Sequence, residues 1–230
     1  MLWLLLLVNT GFGVVFSSVT AVRKVRVVGA REYDRQRLET ILDALREVPC
    51  ARVDRPAIET AVLAEGDVAK ASLERNPFGR ATLRVTYRRA VAELEGHPGM
   101  LLSTDGVLFA GRYVSAGLPK VRLPEVALEP NAALAGLWEP RRVAELCRRA
   151  AEFGPVQKAV LDVDSTGRLC LNMGSGAQIV FGSSEQLDEK FDEVHRILQT
   201  HPNLLEDGFG VNVTAPGKSV LTPPSNQRKP

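Results

Sequence analysis

Apolar positions along the chain follow three rhythms in turn. From Leu2 to Val19 they run on without a charge. A helix of roughly 20 such residues crosses a bilayer core, so residues 1–21 are expected to form a single transmembrane anchor. The rhythm then shortens. In "VRKVRVVG", Val22, Val25 and Val27 interleave with basic residues and stop at Gly29, which predicts a strand. Next, Leu38, Ile41, Leu42 and Leu45 recur at helical spacing, with Asp34 as the expected cap. A second helix follows with Asp54 as cap, Pro56 in its first turn and Ile58, Ala61 and Val62 on one face. Two alternating runs, "VAKASLER" and "ATLRVTYRR", flank the turn signal "NPFG". The first part therefore reads β-α-α-β-β, from about residue 22 to about residue 90.

The second part, 91–215, starts with three short strands, "VAELEG", "MLLST" and "GVLFAG". "PEVALEPNAALAG" reads as a loop, and "EPRRVAELCRRAAEFG" as a helix. Strands are expected at "QKAVLDVD", "GRLCLNM" and "AQIVFG". In "SSEQLDEKFDEVHRILQTH", Ser183 and Gln186 fit a capping box, and Leu187, Phe191, Val194 and Leu198 form one apolar stripe. Its opposite face, with Glu189, Asp192, Glu193 and Arg196, reads as solvated, with an Asp192–Arg196 pair. "GFGVNVTA" is the expected last strand, and 216–230 is expected to be a disordered tail.

Composition narrows the picture modestly. The 230 residues carry 29 Lys+Arg against 27 Asp+Glu, so nothing global points to nucleic acid. Three cysteines, Cys50, Cys147 and Cys170, show no metal or redox spacing. Charge bears on topology as well. Arg23, Lys24 and Arg26 follow the long apolar run and nothing basic precedes it, so charge alone would leave the body on the cytoplasmic side. "VTA" before Val22 also fits a signal-peptidase site, but the basic n-region of a signal peptide is missing.

Each candidate for chemistry has an ordinary reading. "APGKS" mimics the end of a phosphate loop, yet Asn212 stands where that loop needs glycine, and Pro223 and Pro224 deny it a following helix. His97, His195 and His201 have no second ligand near them in sequence. "NMGSGAQ" suits a hairpin, Ser103 lies in no nucleophile elbow, and Asp162 and Asp164 suit a turn. Arg75, Arg80, Arg84, Arg88 and Arg89 form a basic region without interleaved aromatics beyond Tyr87. No catalytic, cofactor or metal site is expected, and neither is nucleotide binding.

The ordered set resembles a known family. "VRKVRVVGA", "VDRPAIETAVLA", "VAKASLERNPFGRATLRVTYRRAVA", "LLSTDGVLFAG" with "GLPKV", "QIVFGSSEQLDEKFDEVHRIL" and "VNVTAPGKSV" follow the order of a POTRA domain and β domain in the FtsQ/DivIB family of bacterial cell-division proteins. The family's basic cytoplasmic tail and its tryptophans in the post-helix strand and the Arg-Trp-Pro turn are missing here. The fold class this implies is α+β: a single N-terminal transmembrane helix, a β-α-α-β-β POTRA module, then a mixed β-sheet domain with two helices. The resemblance also implies a single-pass protein of the bacterial inner (cytoplasmic) membrane, body outside the cytoplasm, at the division septum. There it would be a non-enzymatic divisome scaffold that binds FtsB- and FtsL-type partners and links them to septal wall synthesis. In the family a partner adds a strand to the edge of the last strand, which maps to Val211, Asn212, Val213, Thr214 and Ala215, with Gly217, Lys218, Ser219 and Val220 just beyond. A partner-contacting aromatic found near this exit in some members is replaced by Ala215. The alternative is a POTRA-type periplasmic chaperone for outer-membrane or secreted polypeptides.

Overall fold

The computed structural model describes residue 3 and residues 20–76, 78–111, 117–124, 139–154 and 158–224. It divides the chain between Arg88 and Arg89 into two compact units. Both combine helices with mixed sheets, giving an α+β class.

The first unit runs β1 (Lys24–Val28), α1 (Glu32–Asp43), α2 (Arg55–Leu63), β2 (Val68–Asn76), β3 (Arg80–Tyr87). Its sheet order is β1-β3-β2, with β1 parallel and β2 antiparallel to β3. Alternation sets the buried face: Ala81, Leu83 and Val85 on β3 and Leu73 on β2 meet Leu38 and Leu42 of α1 and Val62 of α2. Asp54 caps α2 as its sequence suggests, accepting the Ala57 N–H at 3.1 Å. Asp34 does not cap α1. The cap position is Arg31, and Asp34 is buried in the first turn, accepting from Arg37 Nε at 2.6 Å and from the Tyr87 hydroxyl at 2.6 Å. A long-range tie to β3 thus outweighs local capping. The "NPFG" turn needs its glycine: Gly79 has φ +74°, and a Cβ there would lie 2.5 Å from the Ala21 carbonyl oxygen.

The expected transmembrane helix is corrected here, and with it the single-pass inner-membrane location. Among the described residues no helix is long and apolar enough to cross a membrane. Ala21 and Val22 are instead built into the first unit: Ala21 bridges to Pro49, and Val22 exchanges backbone hydrogen bonds with Glu47 and Val48. Residues 1–2 and 4–19 of the expected anchor lie outside the described residues.

Among the described residues the second unit is a nine-stranded sheet with two α-helices. Its strands are β4 (Ala90–Leu94), β5 (Met100–Ser103), β6 (Leu108–Ala110), β7 (Lys120–Arg122), β8 (Val160–Val163), β9 (Leu169–Asn172), β10 (Gln178–Gly182), β11 (Gly210–Asn212) and β12 (Val220–Thr222). The helices are α3 (Pro140–Arg149) and α4 (Leu187–Thr200), and the sheet order is β12-β11-β10-β9-β8-β7-β4-β5-β6. β7 and β12, each three residues long, have no counterpart among the expected strands.

Register carries one apolar row straight across this sheet: Leu94, Val121, Leu161, Leu171, Ile179, Val211 and Leu221 are successive cross-strand partners. The first six are buried, in the same core as Val143, Leu146 and Cys147 of α3 and Leu187, Phe191 and Val194 of α4. Phe191 stacks on Phe153 at 5.5 Å and tilts against Phe181 at 5.3 Å, while the Arg149 guanidinium sits 3.7 Å over its ring. The expected capping box at Ser183 is absent. α4 starts three residues later, with Gln186 at φ +50° in the cap position. The competing contact is made by α4 itself: Lys190 is buried and donates to the Ser183 carbonyl at 2.8 Å, which holds Ser183 in the loop before the helix.

Removing the ring at the centre of this core is expected to be costly. Phe191→Ala should lower the unfolding free energy of the second unit by about 3–5 kcal/mol, read by chemical denaturation; a loss under about 1 kcal/mol would contradict this packing.

Candidate partner-binding edge

The terminal strands form from short alternating apolar runs, and their pairing decides which backbone groups are spent. β11 lies parallel to β10 and antiparallel to β12, with Gly210 opposite Thr222, Val211 opposite Leu221 and Asn212 opposite Val220. The Val213 N–H donates to the Val180 carbonyl at 2.9 Å. In a strand, a residue turns its N–H and C=O to one side and its neighbour's to the other. Val211 and Val213 therefore face β10, while Gly210 and Asn212 face β12. It follows that Val220 and Thr222 spend their backbone groups on β11. Leu221 points its N–H and C=O away from the sheet.

The residues expected to form the docking edge are thus divided. Val211 and Asn212 sit in β11 with strands on both sides, so they are interior to the sheet. Val213 is fully buried. Thr214 folds back on the strand, donating through N–H and Oγ1 to Asn212 Oδ1 at 3.0 and 2.7 Å. Ala215 accepts from the Lys218 N–H at 3.1 Å in a turn that contains Gly217 at φ +76°. Ser219 leads into β12, and Val220 is the one member of the set on the outermost strand. The structure extends that edge to Leu221 and Thr222, inside the segment expected to be a disordered tail; 225–230 lie outside the described residues. The missed signal was "SVLTPP": two apolar residues and a threonine closed by prolines that no central strand would carry.

Exposure at this edge is high. Val220 is 59% and Leu221 44% exposed, two of the few large apolar side chains left in water among the described residues. Leu221 ends the seven-residue row, so the apolar core face runs out to a strand that, among the described residues, is paired on one side only. On the opposite face a hollow of about 320 Å³ is lined by Gln178, Val180, Asn212 and Thr222 around Gly210.

The loop before β12 is held from below. Glu193 of α4, expected on a solvated face, is only 8% exposed. Its carboxylate accepts from Ser219 Oγ at 2.8 Å and from Arg196. The Ser219 hydrogen bond first, then Arg196 against the cost of desolvation, holds this carboxyl below the usual glutamate range.

The other candidates are accounted for by their own neighbours. Asp164 closes a turn, accepting from Thr166 N–H and Oγ1 and from the Arg168 N–H, while Asp162 pairs with Arg122 at 2.8 Å, so the two share no proton. His195 contacts Glu152 at 2.9 Å, and "NMGSGAQ" closes a hairpin between β9 and β10. Burial pushes the Cys147 thiol up to about 12, so it packs as a hydrophobe. In the basic region, Arg75 donates to the Cys50 and Val53 carbonyls, Arg84 pairs with Glu74 at 3.1 Å and Arg88 donates to the Gly66 carbonyl at 3.0 Å. Among the described residues no group of three or more His, Cys, Asp or Glu side chains could hold a metal ion.

Proline substitutions separate interior from edge. Val213→Pro leaves the Val180 carbonyl without its donor at a fully buried position of the strand and should cost about 1–3 kcal/mol or more. Leu221→Pro removes an N–H that bonds to nothing in the sheet, so its denaturation midpoint should shift by less than about 0.5 kcal/mol equivalent. Equal losses would overturn the assignment of which groups face outward.

Neither a protein-family model nor a curated protein matches this chain.

Proposed function

We propose that this protein is a non-catalytic binding scaffold of the FtsQ/DivIB type. In this reading it captures an extended segment of FtsB- or FtsL-type partners by strand addition and couples them to septal cell-wall synthesis during bacterial division. The observation that carries the proposal is the open outer edge of β12, where the apolar row ends at half-exposed Leu221. Such an edge supplies main-chain donors and acceptors for affinity, and alternate side chains for selectivity. A partner residue opposite Leu221 would extend the buried row by one position, so the preferred segment carries an apolar side chain there. The family resemblance supplies the kind of partner.

The alternative, a chaperone that guides unfolded polypeptides along a POTRA-type edge, would use β2 of the first unit. That edge is less available. The Leu73 N–H, which faces away from β3, is already accepted by the Glu59 carboxylate at 2.7 Å. Nothing comparable covers Leu221 among the described residues.

The test is capture by the full chain from a detergent extract of the host, with wild type and Leu221→Pro compared by mass spectrometry. The proposal expects small coiled-coil proteins with the wild type and at least a tenfold loss with Leu221→Pro, which is more than about 1.4 kcal/mol. Equal recovery by both proteins would place the contact elsewhere. Recovery of unfolded outer-membrane polypeptides in their stead would favour the chaperone reading.

A further inference from the structure

β12 is poorly equipped to hold itself in place. It has three residues, two of them with largely exposed side chains, and pairs with β11 alone. Strands this short draw their stability from what flanks them. Behind it, the 213–219 loop reverses the chain through Gly217 at φ +76°. One group from outside the loop and its strands grips the lead-in to β12. Glu193 reaches over from α4 and accepts from Ser219 Oγ at 2.8 Å. The same carboxylate is braced on its own helix by Arg196, one turn on. α4 is itself fixed to the sheet through Phe191 and Val194. The chain of contacts therefore runs from the core, through one carboxylate, to the first residue before the edge strand.

We infer that Glu193 is the latch that holds β12 as the outermost strand and so presents the docking edge in its register; this rests on reading that edge as the partner's site. Without the latch, the Gly217–Ser219 segment loses its tie to α4, β12 frays, and the outermost paired strand becomes β11, one strand spacing further in. A partner shaped for Leu221 then meets the wrong row end. Glu193 acts through β12 and is a positioning residue. An amide in its place keeps an oxygen acceptor for Ser219 and gives up the charge pairing with Arg196. Because Arg196 is 67% exposed, that pairing contributes little, so glutamine should largely preserve the latch and alanine should not.

Amide hydrogen exchange on the full chain tests this without any partner. In Glu193→Ala the amides of Val220 and Thr222, which donate to β11, should exchange about tenfold faster or more, while those of Val213 and Ile179 keep wild-type protection. Glu193→Gln should stay near wild type, and Ser219→Ala should fall between the two. Unchanged Val220 and Thr222 exchange in Glu193→Ala would overturn the latch. So would loosening spread evenly over the second unit, because Glu193 would then be a general packing residue. A second arm uses a lysine-flanked peptide of alternating valine and threonine with a central leucine. It should slow exchange of the Leu221 amide in wild type and in Glu193→Gln, and bind Glu193→Ala at least about tenfold more weakly. Equal binding to Glu193→Ala despite a frayed β12 would refute the positioning role. If the peptide fails on wild type while the exchange pattern holds, the latch stands as a property of the fold and the docking reading falls.

Discussion

An open β-sheet buried on one face has to end somewhere, and at its last strand backbone donors and acceptors meet water with no neighbour. In the second unit this constraint is sharpened by register. Seven strands align an apolar residue in one row beneath the helices, and the row stops at Leu221. Six members are buried because α3, α4 and neighbouring strands cover them. The seventh has a neighbour on one side only. The candidate site is the place where the sheet and its core both run out.

The two units treat their edges differently. In the first, an α2 carboxylate satisfies an outward N–H of β2, and Arg75 turns back to carbonyls of the preceding loop. Carboxylates and arginines spent in this way blunt an edge against unwanted pairing. In the second, the corresponding investment goes into the lead-in to the last strand. Glu193 fixes Ser219 and leaves Leu221 uncovered. One edge is thus covered and the other held in position.

Much of the secondary structure was legible because the signals were local. Leu38 and Leu42, or Leu83 and Val85, lie on buried faces at spacings that any helix or strand would impose. Asp54 caps its helix because nothing further away competes for it. Asp34 and Ser183 also had the chemistry of caps and serve elsewhere: Tyr87 reaches Asp34 from β3, and Lys190 of α4 itself takes the Ser183 carbonyl. The long apolar stretch at the start predicted a membrane helix by composition. The last residue of the expected anchor, Ala21, is bridged instead to Pro49, a contact that no hydropathy pattern encodes.

By itself the sequence determined the α+β class, the β-α-α-β-β order of the first unit and the apolar faces of α1, α3 and α4, because each depends on residues within a turn or two of one another. It placed the candidate edge on "GFGVNVTA", whereas the outermost strand is β12, in the segment expected to be a tail. Tertiary structure decided which strand is outermost, since the order of β10, β11 and β12 depends on long-range pairing. It likewise converted Glu193 from an apparent solvent-facing acid into the group that holds the edge, because burial and hydrogen-bond partners exist only after distant segments have met.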